Sequence, residues 1–449
     1  MALSLGEKAG WGLADMGVVV FVVVKQLLVL AFLTNYLGVP IGVAGMVTTA
    51  VLLFDMVTDP LIGYLSDRTD SRFGRRAPWM FFGALVLVAG VIGIFAVPQG
   101  FGTTGNLAWV TGFFILATVG FTMVAIPYGA MAGEITDDPR ERSQMTAWRM
   151  GFASLGILLG GAVIPVLAGD SREGHVFAAM AVAPIIVGAI WISIFATRKA
   201  PREPLPSQQA FAPMLGLVFG NRAFVILALL YGLMTMAVAL ITAGLPFAAL
   251  YLVVDDGGTA LSGVAAGLGV LSLMFAAFVV GSILSQAVWV VLSHRLGKSG
   301  ALMLGLALYM VLLYGLFSAL PSVNVTLIAG LFVLAGMTNG AYQQIPWAMY
   351  PDLMDVTKRE TGAAIEGAFS AIWLFGQKAA NALAPLVLGG ILQAYGWRET
   401  TMGRVEQLPE AITALQWSIT LVPAAVMGLS ILLLAVLYRP SAKRVLEAV

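Results

Sequence analysis

Gly63-Tyr-Leu-Ser-Asp-Arg-Thr-Asp-Ser-Arg-Phe-Gly-Arg-Arg76 and Leu292-Ser-His-Arg-Leu-Gly-Lys298 are two versions of one feature, a short basic turn with a glycine between long apolar runs. Each turn follows the second run of a group of six. A hydrocarbon core of about 30 Å needs about 20 apolar residues per helix. Working outward from the first turn gives such runs at roughly 11–36, 41–66, 78–97, 107–132, 145–168 and 175–196. Around the second they fall at roughly 223–253, 262–293, 300–320, 324–349, 362–392 and 412–437. The matching place of the turn in each group points to two parallel six-helix repeats. The expected fold is an all-α membrane protein with twelve transmembrane helices in two pseudo-symmetric halves, residues 1–196 and 223–449. Residues 197–222, polar and proline-containing, are the expected cytoplasmic linker.

Composition agrees with that reading. Hydrophobic residues make up 59% of the 449 positions and charged residues 10%, where soluble domains run at about 45–50% and about 25%. Lipid is the natural solvent of such a chain. A formal net charge of +1 gives no basic field for nucleic acid, and two His with no Cys leave little material for transition-metal or thiol chemistry. No cofactor is expected. The run from Trp11 is too long for a signal-peptide core and shows no small-residue cleavage site before Asn35, so it reads as a retained first helix. Most of the 24 Lys and Arg residues lie at the termini and in the even-to-odd loops, while the opposite loops hold Arg172, Arg398 and Arg404. Positive loops stay in the cytoplasm, which puts both termini inside.

Ionisable residues within the apolar runs carry the functional information, because each costs at least about 2.5–3.5 kcal/mol to insert. Asp55 and Asp59 are spaced i, i+4 on the second helix, so both carboxylates share one face, one turn apart. Their mutual repulsion calls for a proton or a cation between them, and oxygen ligands suit a hard ion such as Na+. The other reading pairs them with Arg149 or Lys378 to hold helices together. Lys378, beside Gln377 in the eleventh helix, needs a carboxylate partner, and sharing Asp55 and Asp59 with an ion would couple cation and substrate. Lys25 and Gln26 sit in the middle of the first helix and should avoid lipid. Lys25 either favours an anionic group on the substrate or serves as a second partner for the helix-two carboxylates. Arg149 either clamps a polar substrate or anchors an interface. Trp148, Trp347 and Trp373 offer rings for stacking on a solute, or simple packing. On the cytoplasmic side Glu134, Asp137, Asp138, Glu141 and Arg142 follow the fourth helix, and Asp352, Asp355 and Lys358 follow the tenth. Arg142, Glu141, Asp352 and Asp355 are the candidates for gating salt bridges between the halves.

Asp55-Met-Val-Thr-Asp59-Pro60-Leu-Ile-Gly63, continuing through Asp67-Arg68-Thr-Asp-Ser-Arg72-Phe-Gly74-Arg75-Arg76-Ala-Pro78-Trp79, resembles the signature of the glycoside-pentoside-hexuronide:cation symporters, the melibiose permease-like branch of the major facilitators. The likeness extends in register to Ile126-Pro127-Tyr128, Arg140-Glu141-Arg142, Arg149, Tyr350-Pro-Asp352-Leu-Met-Asp355, Glu366 and Lys378. It implies the major facilitator fold, with alternating access of two halves around a central site. It also implies a cation site made of Asp55, Asp59 and Thr122, a coupling role for Lys378 and a place near the sugar for Arg149. Two departures stand out. Val19 and Ala125 occupy positions where melibiose-type members carry acidic residues that grip sugar hydroxyls, and Ala364 replaces the family's arginine before Glu366.

The function expected from these readings is symport of a small organic solute, of glycoside or sugar-acid type, with Na+ or alternatively Li+ or H+. The substrate candidates are Lys25, Gln26, Arg149, Trp373 and Gln377. The alternative is an amphipathic anion such as a lysolipid, since related lysolipid symporters share the helix-two aspartate and the helix-eleven lysine. A uniporter, or a membrane-embedded enzyme using Asp55 and Asp59 as an acid/base pair, has less support because no nucleophile motif stands beside them. The expected partners are the small-molecule solute, the cation and the bilayer, for a monomer in the bacterial cytoplasmic membrane.

Overall fold

The computed structural model describes residues 3–136, 138–200, 211–362 and 365–447. Asp137, Ala364, the stretch 201–210 and the side chain of Glu366 lie outside the described residues. Among those described, twelve helices are long and apolar enough to cross a membrane. They are α1 Leu5–Leu27, α2 Ile41–Asp67, α3 Ala77–Phe95, α4 Gly102–Ile135, α5 Arg140–Ala168 and α6 Arg172–Ala196. The second six are α7 Arg222–Tyr251, α8 Val270–Leu296, α9 Lys298–Ala319, α10 Val325–Thr361, α11 Gly367–Ala394 and α12 Pro409–Lys443. Helices satisfy every backbone donor and acceptor internally, which lipid demands.

Each expected run has its helix, with local differences that have physical causes. The first run is interrupted at Leu28, after which Val29–Tyr36 continues as a separate short helix. The eighth is split by Gly269, whose φ of +80° only glycine adopts readily, leaving Ser262–Leu268 as a short preceding helix. The tenth extends to Thr361, well past its apolar part, and ends where Gly362 takes the left-handed conformation. The stretch read as linker contains a helix, Phe211–Gly220, whose sequence is apolar rather than polar.

The chain divides into two compact units, Met1–Ser207 with Trp397–Gln407, and Gln208–Gly396 with Leu408–Val449. In the first, α1 packs on α5 and α6, α3 packs on α4 and α6, and α2 packs on α4. In the second, α7 packs on α11 and α12, α9 packs on α10 and α12, and α8 packs on α10. The same five pairings therefore recur, and the two basic turns sit at equivalent places. Gly74 and Gly297 in those turns both have positive φ, +84° and +73°. Arg75 and Arg76 reach Glu134 near the end of α4, each at 2.8 Å. Lys298 reaches Asp352 near the end of α10 at 2.6 Å.

Close approach of α1 and α5 depends on missing side chains. A Cβ on Gly12 would stand 2.7 Å from the Arg149 backbone nitrogen, and one on Gly156 would stand 2.6 Å from the Met16 carbonyl oxygen. The segment Trp397–Gln407, which the sequence places between α11 and α12, is held by the first unit through main-chain hydrogen bonds. Gly38 N donates to Thr400 O at 3.1 Å, Thr400 N to Thr34 O at 3.0 Å and Gly403 N to Asn35 O at 2.9 Å. Arg398 N and the Arg398 carbonyl both pair with the Gln407 amide, at 2.8 and 2.7 Å, which closes the loop on itself.

Candidate functional site

Asp55 and Asp59 do project from one face of α2, and Thr122 of α4 stands opposite them. The Thr122 hydroxyl lies 3.0 Å from Asp55 Oδ1 and 3.4 Å from Asp59 Oδ1. A hydroxyl has one proton to give, so it donates to one carboxylate at a time and offers its lone pairs to whatever lies between them. Thr58, between the two aspartates in sequence, adds a second hydroxyl 3.4 Å from that of Thr122 and donates to the Asp55 carbonyl at 3.0 Å. Sequence reading did not single Thr58 out, although a hydroxyl three residues after Asp55 on the same helix face was the available signal. Asp55 and Thr122 are buried and Asp59 is half-buried, so the group has one more open end. Oxygen atoms from two helices thus converge without any His or Cys. This is chemistry suited to a small hard cation or a proton and poorly suited to a transition metal.

Lys25 has a different place from the one its substrate reading gave it. Its Nζ lies 3.4 Å from Asp55 Oδ2, and the side chain is buried. The rings of Phe121 and Phe21 flank the ammonium at 4.5 and 5.3 Å. The second reading of Lys25, a partner for the helix-two carboxylates, is the arrangement found. The fixed positive charge that favoured an anionic or lysolipid substrate is therefore engaged by a carboxylate of the protein. Gln26, the next residue, is half-buried.

Arg149 of α5 meets Asp15 of α1, with Nε 3.2 Å from Oδ2. Their helices are drawn together at Gly12 and Gly156, which sets this pairing. The Asp15 carboxylate is nearly enclosed, with 5% of its side chain exposed, while 39% of the Arg149 side chain is open. Trp11 stacks on Tyr128 at 4.8 Å, and the Arg149 guanidinium lies 5.6 Å from the Tyr128 ring. The Tyr128 hydroxyl and the Trp11 indole N–H are buried without hydrogen-bond partners. Asp15, not among the residues singled out from the sequence, is the carboxylate that Arg149 meets.

In the second unit an aromatic group forms where α7, α10 and α11 meet. Trp373 is 1% exposed and stacks against Tyr231 at 4.3 Å and Tyr350 at 4.8 Å. Tyrosines against the ring of Trp373 leave it no room to stack on a solute, so its substrate role is corrected to that of a support. Trp347, 38% exposed, presents its ring instead, held by its N–H donating to the Tyr231 hydroxyl at 2.9 Å. Lys378 and Gln377 of α11 are both half-buried, and the Gln377 carbonyl accepts from Asn381 at 3.0 Å.

Three of the gating candidates have contacts inside their own units. Glu141 pairs with Lys8 at 3.2 Å, accepts from Leu3 N at 2.7 Å and accepts from the Thr136 hydroxyl at 2.8 Å. This ties the start of α5 to the N-terminal segment. Asp352 is engaged by Lys298 of the same unit. Arg142 is exposed and donates to the Thr136 carbonyl at 2.8 Å, and Asp355 is exposed.

Comparison with known proteins bears on the whole arrangement. The sequence profile of the family described as MFS/sugar transport protein matches residues 10–439. YagG of Escherichia coli strain K12, whose name proposes a glycoside/cation symporter, is 27% identical over 400 residues, covering 87% of this chain and 83% of its own. The inner membrane symporter YicJ of the same organism is 26% identical over 398 residues, covering 88% and 83%. Among solved structures, a D-xylose-proton symporter superposes with a TM-score of 0.66 at 13% identity, over 97% of this chain and 98% of that one. At that identity the superposition speaks for the fold, twelve helices in the major facilitator arrangement.

Proposed function

The chain belongs to the MFS/sugar transport protein family, and from that premise we propose that it is a cation-coupled symporter of a neutral glycoside or related sugar, working by alternating access. It is an integral membrane transporter of the symporter type, not an enzyme. The observation that carries the proposal is the convergence of Asp55, Asp59 and Thr122, with hydroxyl-to-carboxylate distances of 3.0 and 3.4 Å. Two carboxylates that share one hydroxyl form a site whose repulsion a bound cation relieves, and the relatives named as symporters support using that energy to move a solute. Na+ is the coupling ion in this reading, with Li+ and H+ as the competitors to test. Arg149, Trp347 and Gln377 are the solute-facing candidates, and Lys378 carries the coupling role in the second unit. The neutral glycoside is favoured over the acid-sugar and lysolipid readings because Lys25 and Arg149 each face a carboxylate of the protein. The seat of the protein is a bacterial inner membrane with both termini in the cytoplasm, as the distribution of Lys and Arg supports.

The test is uptake of labelled glycosides into proteoliposomes under imposed Na+, Li+ and H+ gradients, for the parent and for Asp59→Asn. Accumulation driven by one of these gradients and lost in the variant is expected. Uptake that is indifferent to every gradient would mean a uniporter or exchanger, and the proposal would be withdrawn. Charge-preserving Lys378→Arg is expected to keep coupled uptake better than Lys378→Ala.

A further inference from the structure

Most of a cation site is made by oxygens, yet this one already contains a positive charge. Lys25 lies in the last turn of α1, and the helix is interrupted at Leu28 just beyond it. Its ammonium contacts Asp55 Oδ2 at 3.4 Å, while Asp55 Oδ1 is engaged by Thr122 at 3.0 Å. Phe121, the neighbour of Thr122 in α4, lies 4.5 Å from the ammonium on its ring face, so α4 positions the hydroxyl and confines the lysine together.

We propose that Lys25 is a tethered cation of the Asp55–Asp59–Thr122 group, which lowers the affinity of that group for the mobile cation and thereby sets how readily the ion is released. The inference rests on the reading of this group as the cation site. An ammonium and an alkali ion compete for the same carboxylate lone pairs. Whatever further partners the carboxylates have, an ion entering beside Asp59 and Thr122 meets Lys25 as a like charge a few ångströms away. Two opposite substitutions change the charge of the group by one unit each. Lys25→Met makes it more negative and Asp55→Asn makes it more positive, while the combination restores the parent's charge.

The experiment measures the thermal-unfolding midpoint of the purified full-length protein against NaCl, with choline chloride holding ionic strength constant. Six proteins are compared: the parent, Lys25→Met, Lys25→Arg, Asp55→Asn, Asp59→Asn and the double variant Lys25→Met/Asp55→Asn. Ion binding stabilises the fold by linkage, so the midpoint curve reports affinity without any solute. Removing a like charge at such range is expected to lower the half-saturating Na+ concentration of Lys25→Met by about tenfold or more. Lys25→Arg should follow the parent, Asp55→Asn should lose the Na+ response, and the double variant should regain it. Uptake assays should show the matching split, with Lys25→Met slower at saturating Na+ because release is hindered.

If Lys25→Met binds Na+ no more tightly than the parent, while Asp59→Asn abolishes the response, the site stands and the role of Lys25 falls. Should Lys25→Met fail to fold, the comparison of Asp55→Asn with the charge-restored double variant decides, and equal loss in both overturns the inference. If no protein, the parent included, responds to Na+ or to Li+ in its place, the cation-site reading itself falls and the tethered cation with it.

Discussion

Arg149 and Asp15 form an ion pair whose two members differ in access to solvent, and that asymmetry fixes what each substitution should do. Removing Arg149 as Arg149→Ala strands a carboxylate with 5% of its side chain exposed. An uncompensated buried charge of this kind costs about 3–5 kcal/mol. Removing Asp15 as Asp15→Asn leaves a guanidinium with 39% of its side chain exposed, so water serves its open part while the buried Nε keeps the new amide as a neighbour. At the observed 3.2 Å separation the attraction lost is about 1.3 kcal/mol at the dielectric constant of water, and exposed pairs measure about 0–1 kcal/mol. Asp15→Asn should therefore cost about 1 kcal/mol, and adding it to Arg149→Ala should recover about 2 kcal/mol or more of the larger loss. Half-lives at a fixed elevated temperature in detergent, with the four proteins compared side by side, give the ordering even if unfolding is irreversible. Equal cost for the two single substitutions, or a double variant no more stable than Arg149→Ala, would show that the carboxylate is not held at the expense of the arginine and would refute the reasoning. The same Asp15→Asn protein releases the guanidinium for other partners, so acidic sugars should gain affinity over neutral ones.

Other expectations follow from contacts elsewhere. Glu134 supplies Arg75 and Arg76 from one oxygen, so Glu134→Ala should cost about 3–5 kcal/mol and Glu134→Gln, which keeps an acceptor, about 1–3 kcal/mol, read as loss of thermal stability. Gly281 of α8 faces the Val333 carbonyl of α10 with no room for a methyl group, so Gly281→Ala should lower stability by about 1–3 kcal/mol or more. Trp373→Ala should destabilise the second unit by about 3–5 kcal/mol, whereas Trp347→Ala should spare most of the stability and weaken solute binding instead, as measured by solute-dependent shifts in the unfolding midpoint.

The helices were legible because crossing a bilayer needs a long apolar run, and twelve such runs are hard to miss. The i, i+4 spacing of Asp55 and Asp59 was legible for a similar reason, since it is a property of one helix. Thr122 came through likeness to a known family, because nothing local marks a threonine in an apolar helix as a ligand. Partners across helices were not legible. Whether Lys25 meets Asp55 or a solute depends on how α1 is rotated about its axis, and a helix apolar on most faces leaves that rotation unmarked. The pairing of Arg149 with Asp15 depends in the same way on the close approach at Gly12 and Gly156. Trp373 and Trp347 differ in exposure by their positions on separate helices, which composition does not record. The helix Phe211–Gly220 was hidden by the prolines and charges that precede it.

Residues 397–407 continue one half of the chain and are fastened to the other through peptide groups among their contacts. Main-chain hydrogen bonds of this kind do not depend on side-chain identity at the donors and acceptors. In any cycle that swings one unit against the other, the loop either breaks and remakes its main-chain hydrogen bonds or travels as a passenger of the first unit. As a passenger it would pass the torque to its two junctions, and one of them is Gly396, already at φ +74°, with the backbone freedom to act as a swivel.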